Sequence, residues 1–266
     1  MVLTTMVMTM VEAAVDHTNF IARSRASMEA LKSANLLKSL NINALIMGEP
    51  GVGKTTLASY ILGAPVVGGG NLPEVLSAIE NNTKLIIKNF DKLSNFQSVN
   101  EAIRKNKTRI IATAPESFSE TIADEFFSLR VTLPPLRERP EDVEPLVEKF
   151  FKEVRHIFNV TNEPSPSLKD LPLDLSHNGY SLRRSIYTAF LMKSFNESDI
   201  LQIMETYLSK HLGHGNDYRD LQYLFDVPMI RAGFNAFGSQ LAMADKFGLN
   251  RNTLRKKVND LKDYLE

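Results

Sequence analysis

Residues 48–55 read GEPGVGKT and stand between a short apolar run, NALIM, and a stretch with helical character, KTTLASYIL. Gly48, Gly53, Lys54 and Thr55 satisfy the spacing G-x-x-x-x-G-K-[ST], a pattern that carries meaning only when a strand precedes it and a helix follows. That order restricts the chain to an α/β layout with the loop at the carboxyl end of a strand. Glycines let consecutive backbone N–H groups converge on a phosphate. The helix N-terminus adds positive potential, Lys54 reaches the terminal phosphates, and the Thr55 hydroxyl can ligate Mg²⁺. Gly48, Glu49, Pro50, Gly51, Val52, Gly53, Lys54, Thr55 and Thr56 are therefore the candidate nucleotide-binding residues. The expected ligand is ATP or ADP, with or without Mg²⁺, and a nucleotide-free chain stays open as the alternative.

Further apolar runs at KLIIKNF and TRIIATA alternate with polar helical stretches such as NLPEVLSAIENN, which predicts a parallel sheet. Ahead of the loop, IARSRASMEALKSANLLKSL reads as one amphipathic helix with Met28, Leu31, Leu36, Leu37 and Leu40 on its buried side. Further on, TNEPSPSLKDLPLDL is rich in Pro and Ser and reads as an ordered loop. SLRRSIYTAFLMKSF and DILQIMETYLSKHL then form a small helical lid, and HLGHGND reads as a linker. The expected organisation is a tail over 1–19, an α/β phosphate-loop subdomain over 20–156, a helical lid over 157–212 and an all-α helix-turn-helix domain over 213–266.

With 266 residues and no Cys, the chain offers neither a disulfide framework nor a thiolate metal site. Its formal charge is zero, so any affinity for nucleic acid must come from a local patch. The start, MVLTTMVMTMVEAAVDHTNF, is Met-rich but lacks a basic leader region, is interrupted by Glu12 and Asp16, and is too short to span a bilayer. It reads as a short tail or docking helix, with the cytoplasm as the expected compartment and no membrane partner. His211 and His214 read as solvated rather than as metal ligands.

Hydrolysis needs an acidic residue at the end of a neighbouring strand to help hold the metal, and a second to orient water. At the end of KLIIKNFD, where that pair is wanted, stand Lys88 and Asn89. An ammonium there competes with Mg²⁺, and an amide takes no proton from water. Asp91 lies further on and serves only if the strand register slips.

The end of the chain, GSQLAMADKFGLNRNTLRKKVNDL, combines a helix, a glycine turn and a second helix with a polar, basic outer face. Leu241, Ala242 and Ala244 give the first helix a small apolar face, Gly248 can adopt the positive φ of the turn, and Asn250 can cap the next helix. Leu254, Val258 and Leu261 fall on the inner face of that helix. Asn250, Arg251, Asn252, Thr253, Arg255 and Lys256 cluster at its start, where base edges and phosphates of double-stranded DNA are reached, and Lys256 and Lys257 read as phosphate contacts.

From about Phe20 onward the chain resembles a reduced member of the NtrC-type AAA+ family, the bacterial enhancer-binding proteins that activate sigma-54 RNA polymerase. FIARSRASMEAL resembles the family's opening segment, GEPGVGKT its Walker A loop, LPPLRERPEDV its most recognisable signature and SQLAMADKFGLNRNTLRKK its Fis-type helix-turn-helix. Without the family, the alternating Arg and Glu of that signature read as a solvated turn before a helix begun by Pro140, Glu141 and Asp142. The resemblance implies an AAA+ sheet with a helical lid, contacts to bases by Arg251, Asn252 and Arg255, and a homodimer formed through YRDLQYLFDVPMIRAGFNAFG, with a higher oligomer left open.

The departures matter equally. The family's acidic pair falls on Lys88 and Asn89. The polymerase-contact motif GAFTGA is replaced by GAPVVGGGNLPEV, so contact with sigma-54 is not expected. FSETIADEFFSL lacks the finger arginines, and only Arg130 follows it; the polar sensor position is Ala114-Pro115. The lid motif GNVREL appears as GYSLRRSI, where Arg183 or Arg184 remains to reach a γ-phosphate. Regulators of the TyrR type offer a precedent for such a reduction. The reading that follows is a sequence-specific DNA-binding regulator whose degenerate AAA+ core binds nucleotide and hydrolyses it poorly. The alternatives are an active AAA+ ATPase using Asp91, or an accessory partner of a full-length NtrC-type relative.

Overall fold

The computed structural model describes residues 20–158, Leu171 and residues 173–265. The tail expected over 1–19 and most of the loop expected over 161–175 lie outside the described residues. By contacts the chain divides into two units, the first ending at Ser194 and the second running from Phe195 to Glu266.

The first unit is built on a five-stranded parallel sheet of β1 (Ala44–Met47), β2 (Val66–Gly68), β3 (Lys84–Lys88), β4 (Arg109–Ala114) and β5 (Leu129–Thr132), in the order β2-β3-β4-β1-β5. The central strands β1, β3 and β4 are the three apolar runs of the sequence. Their alternation feeds two cores. Leu45, Leu85, Ile87, Ile110 and Ala112 point to one face, and Ala44, Ile46, Ile86 and Ile111 to the other. Strands buried on both faces belong to parallel sheets, whose crossover helices cover each side. The flanking strands β2 and β5 are short, and no apolar run announces them.

Helices α1 (Arg25–Ser39), α2 (Lys54–Leu62), α3 (Leu72–Asn81), α4 (Phe96–Asn106) and α5 (Glu120–Phe126) accompany the sheet. The buried side of α1 keeps Leu37 of the expected set and otherwise differs from it. It consists of Ser27, Ala30, Ala34 and Leu37, at helical spacing, while Met28, Leu36 and Leu40 are exposed. Small side chains let α1 lie close against α2, whose Leu57 and Ile61 share its core, so helix-to-helix distance rather than side-chain size selected this face. At its end, the buried Arg109 donates from Nη2 to the Leu37 carbonyl at 2.6 Å and from Nε to Ile42 O at 3.1 Å. Two further helices, α6 (Pro140–Phe158) and α7 (Gly179–Ser194), share a third core of Val147, Phe150, Phe151, Val154, Leu182, Ile186 and Phe190.

The second unit consists of α8 (Glu197–Leu208), α9 (Asp217–Leu221), α10 (Tyr223–Phe237), α11 (Gln240–Phe247), α12 (Arg251–Asp260) and α13 (Lys262–Leu265). Helix α8, given to the lid by the sequence, groups with this unit, because Met204 and Leu208 line a groove with Leu221, Phe225 and Met229. The core is Ile230, Met243, Ala244 and Leu254, with Phe234, Phe247, Val258 and Leu261 against it. On α11 it is thus Met243 that points inward with Ala244. Leu241, expected inside, is exposed.

Candidate functional site

The loop after β1 is built for close backbone approach. A Cβ at Gly48 would fall 2.4 Å from the Leu133 carbonyl oxygen, and one at Gly51 would fall 2.5 Å from that of His177; both glycines have positive φ, 145° and 82°. Gly53 begins α2 with no side-chain cap, whereas Ser24, Asn71, Asn95 and Ser119 cap α1, α3, α4 and α5. The opening amides at Lys54, Thr55 and Thr56 are thus left uncapped by side chains, the arrangement a phosphate completes. The cradle fits a nucleotide's phosphates, and Thr55 and Thr56 lie half-buried in its first turn. Lys54 folds back over the loop, donating from Nζ to Gly48 O at 2.5 Å and Glu49 O at 2.8 Å. Burial lowers its pKa, opposed by the charges of Asp91, Glu116 and Glu49.

The turn between β5 and α6 holds this loop in place. Arg137 grips Glu49 with both arms, Nη1 to Oε2 at 3.0 Å and Nη2 to Oε1 at 2.8 Å. Asn178, at φ 55°, donates from Nδ2 to Glu49 Oε2 and to Pro50 O, each at 3.0 Å, and accepts the Leu136 N–H at 2.6 Å. The hydrogen bonds of Arg137 and Asn178 hold the Glu49 pKa at about 2. Gly179 N–H donates to Gly51 O at 3.0 Å. Deeper in, Arg139 reaches Val52 O at 3.0 Å and Ser27 Oγ at 2.9 Å, and it pairs with Asp142 at 3.5 Å. The signature turn is the solvated stretch its charges suggested only at Arg137, Glu138 and Glu141, which are exposed before and at the start of the helix begun by Pro140. Arg139 and Asp142 are 2% and 0% exposed, and they tie α1, the phosphate loop and α6 together.

At the catalytic positions, β3 ends at Lys88 without a slip of register. Asn89 takes the left-handed conformation at φ 55°, and its N–H donates to the buried Thr113 Oγ1 on β4 at 3.2 Å. Thr113 thus supplies the polar group on this strand, one residue before the Ala114 singled out in the sequence. Lys88 is exposed, and its Cε lies 3.9 Å from the Cβ position of Gly68 on β2. Its chain therefore leans to the side of β3 away from the loop, contrary to the expectation that its ammonium occupies the metal position. Asp91 follows in the 3₁₀ turn Phe90–Lys92. Arg130 bonds Asp124 and Glu120 O within its own chain. Arg183 pairs with Glu153 at 3.2 Å and lies over the Phe150 ring at 4.6 Å, while Arg184 pairs with Asp174 at 3.5 Å. For Arg183 to meet a γ-phosphate, its ion pair must open. Among the described residues, no group of three or more His, Asp or Glu side chains is placed to hold a metal.

In the second unit, α11 ends at Gly248, at φ 63°, and Asn250 caps α12 by accepting the Asn252 N–H at 2.9 Å. Asn250, Arg251, Asn252, Thr253, Arg255 and Lys256 are all exposed at the start of α12, opposite the buried Leu254. Lys257 does not join them. It turns inward and pairs with Asp226 of α10 at 2.5 Å. His211 stacks on Tyr207 at 4.1 Å and lies exposed beside the Gly213 turn. Among the described residues, no helix is long and apolar enough to cross a membrane.

No family model matches the chain. It is 27% identical over 201 residues to the DNA-binding transcriptional regulator NtrC of Bradyrhizobium sp. (strain RP501 Parasponia), a match covering 59% of this chain and 42% of that protein. The chain thus spans less than half the length of that relative. Among solved structures, NtrX from Brucella abortus in complex with ATP aligns with 97% of this chain and 73% of its own, at a TM-score of 0.55 and 18% identity. Its ADP complex aligns at 0.56, with 16% identity over 97% of this chain and 72% of its own. At such identities the shared property is the fold, a parallel α/β phosphate-loop core. The chain is thus similar in sequence to NtrC over part of its length and similar in fold to NtrX.

Proposed function

We propose that the protein is a sequence-specific DNA-binding transcriptional regulator whose AAA+ core binds ATP or ADP and turns it over poorly. The observation that carries the reading is the exposed cluster Asn250, Arg251, Asn252, Thr253, Arg255 and Lys256 at the start of α12, in a chain whose net charge is zero. A local basic face of this kind supports major-groove contact by a Fis-type helix-turn-helix. The NtrC relative bears the name of a DNA-binding transcriptional regulator, which favours the same reading. The groove of about 730 Å³ lined by Met204, Leu208, Phe225 and Met229, with Phe225 63% exposed, supports a homodimer through this unit reading a two-fold site.

The uncapped α2 terminus and Lys54 support nucleotide binding, and the NtrX structures hold ATP and ADP. Lys88 and Asn89 at the end of β3, and the engagement of Arg130 by Asp124, argue for slow hydrolysis. GAPVVGGGNLPEV in place of the polymerase-contact loop argues for action away from sigma-54. Genome-wide occupancy of the native protein, followed by anisotropy on the recovered duplexes, tests the reading. Discrete sites bound at modest salt are the expected result. A protein that ignores duplexes of every sequence refutes it.

A further inference from the structure

Helix α7 starts at the glycine loop. Its first residue, Gly179, donates to Gly51 O at 3.0 Å, and a Cβ there would fall 2.9 Å from the same oxygen, so nothing larger fits between helix and loop. Arg183 stands one turn further along α7, about 6 Å up its axis. Long helical side chains lean toward the N-terminus of their helix, so Arg183 runs back toward the end that meets the loop. The Phe150 ring joins the two positions. Its Cζ lies 3.9 Å from the Cβ position of Gly179, and its face carries the Arg183 guanidinium at 4.6 Å.

The guanidinium stops there because Glu153, on α6, holds it. Arg183 Nε lies 3.2 Å from Glu153 Oε2 and Nη2 lies 3.5 Å from Oε1, with the two side chains 21% and 11% exposed, so the pair is largely shut from water. Charge holds it more than hydrogen bonding does. The Nη2 contact sits at the far limit of a hydrogen bond, and the buried Nε makes none, unlike the fork that arginine forms with a carboxylate in a tight pair. One turn beyond Arg183, on the same face of α7, Tyr187 is 5% exposed and its hydroxyl has no partner. Burial, and after it the charge of Glu153, push its pKa up to about 12 against the pull of Arg183. Buried hydroxyls are seldom left unpaired, and this one lies on the helix face that carries the ion pair.

We infer that Glu153 is a latch on Arg183: it holds the guanidinium back from the phosphates of a nucleotide at the glycine loop, and the Tyr187 hydroxyl donates to the carboxylate when the arginine leaves. The exchange keeps the buried groups paired. Arg183 trades one anion for another, and Glu153 gains a donor in place of the one it loses. A closed latch and an occupied loop therefore compete for the same cation, and nucleotide affinity is lowered by the work of opening the pair. The inference rests on the nucleotide-binding reading and assigns a brake to that same site.

Calorimetric titration of the full chain with ATP tests it. Glu153→Gln keeps the size of the side chain and releases Arg183, so it should tighten ATP binding by about fivefold or more. In an Arg183→Ala background the same substitution should change nothing, because no cation is left to release. Tyr187→Phe keeps the packed ring, leaves the ion pair untouched and should act in the other direction. ATP should bind about threefold or more weakly, while the Tm of the nucleotide-free protein stays level or rises, since the unpaired hydroxyl is gone. If Glu153→Gln binds ATP as the wild type does, the pair is structural and the latch fails. If the tightening persists without Arg183, the carboxylate acts through its charge alone and the latch fails equally. Tyr187→Phe with wild-type ATP affinity refutes the exchange. If neither the wild type nor Glu153→Gln binds ATP, the nucleotide-binding reading falls and takes the latch with it.

Discussion

The Asp142 carboxylate accepts the Ser27 hydroxyl at 2.5 Å and the Ser24 N–H at 2.8 Å, so an acid in the first turn of α6 closes the start of α1, 118 residues earlier in the chain. Arg139 completes the arrangement by touching both Ser27 and the phosphate-loop carbonyl of Val52. Burial opposes the charge on Asp142, but the hydrogen bonds from Ser27, Ser24 and Arg23 outweigh it and hold its pKa below the usual carboxylate range. Removing one member of a buried charge pair leaves the other uncompensated, at a cost of about 3–5 kcal/mol. Asp142→Ala should therefore destabilise the first unit by about that amount in urea unfolding. A loss below about 1 kcal/mol would show that α1 and the loop do not depend on this acid.

The Glu49–Arg137 pair predicts a pH signature. Glu49 titrates at about 2 in the folded protein against an ordinary 4.5. A depressed carboxylate pKa gives stability that is present above the unfolded value and lost as pH falls through the folded one. Glu49→Gln should thus lower Tm by a constant amount above about pH 5. The gap to wild type should close as pH drops toward 2. Both groups face solvent, so the effect is small and should weaken further in high salt. A gap independent of pH and salt would mean that packing, rather than charge, joins Arg137 to the loop.

On the proposed reading, in which the Lys54 ammonium leaves Gly48 O and Glu49 O to meet the terminal phosphates, Lys54→Ala should abolish nucleotide binding. The substitution leaves the second unit untouched, so DNA affinity should not change. Phosphate release by the wild type with DNA present should stay far below about one per second, an ordinary enzymatic rate. Turnover near that rate would overturn the reading of Lys88 and Asn89.

What the sequence made legible was local. The glycine loop, the apolar strands β3 and β4, the positive φ of Gly248 and the Asn250 cap each depend on residues within a few positions of one another. Tertiary pairings left no such trace. Asn178 meets Glu49 across 129 positions, Arg183 meets Glu153, and Lys257 meets Asp226; each side chain read alone is a solvated polar residue. On α1, close packing selects Ala30 and Ala34 beside Leu37, where the apolar pattern points to larger side chains. Asp91 sat out of register in the strand pattern.

The inward turn of Lys257 separates two substitutions that the sequence treats alike. Arg255 is exposed at the start of α12, and Arg255→Ala should weaken specific DNA binding by about 1–3 kcal/mol and relax preference at one base position. Lys256→Ala should act more evenly across sequences and reduce the salt slope by about one. Lys257→Ala should do neither. Its ammonium is committed to Asp226, itself half-buried, so the loss falls on the packing of α12 against α10 and appears in the unfolding of the second unit. Anisotropy titrations across a salt series, run beside thermal unfolding, distinguish the three. If Lys257→Ala lowers the salt slope as Lys256→Ala does, the Asp226 pair opens on DNA and the recognition face is wider than the six residues assigned to it.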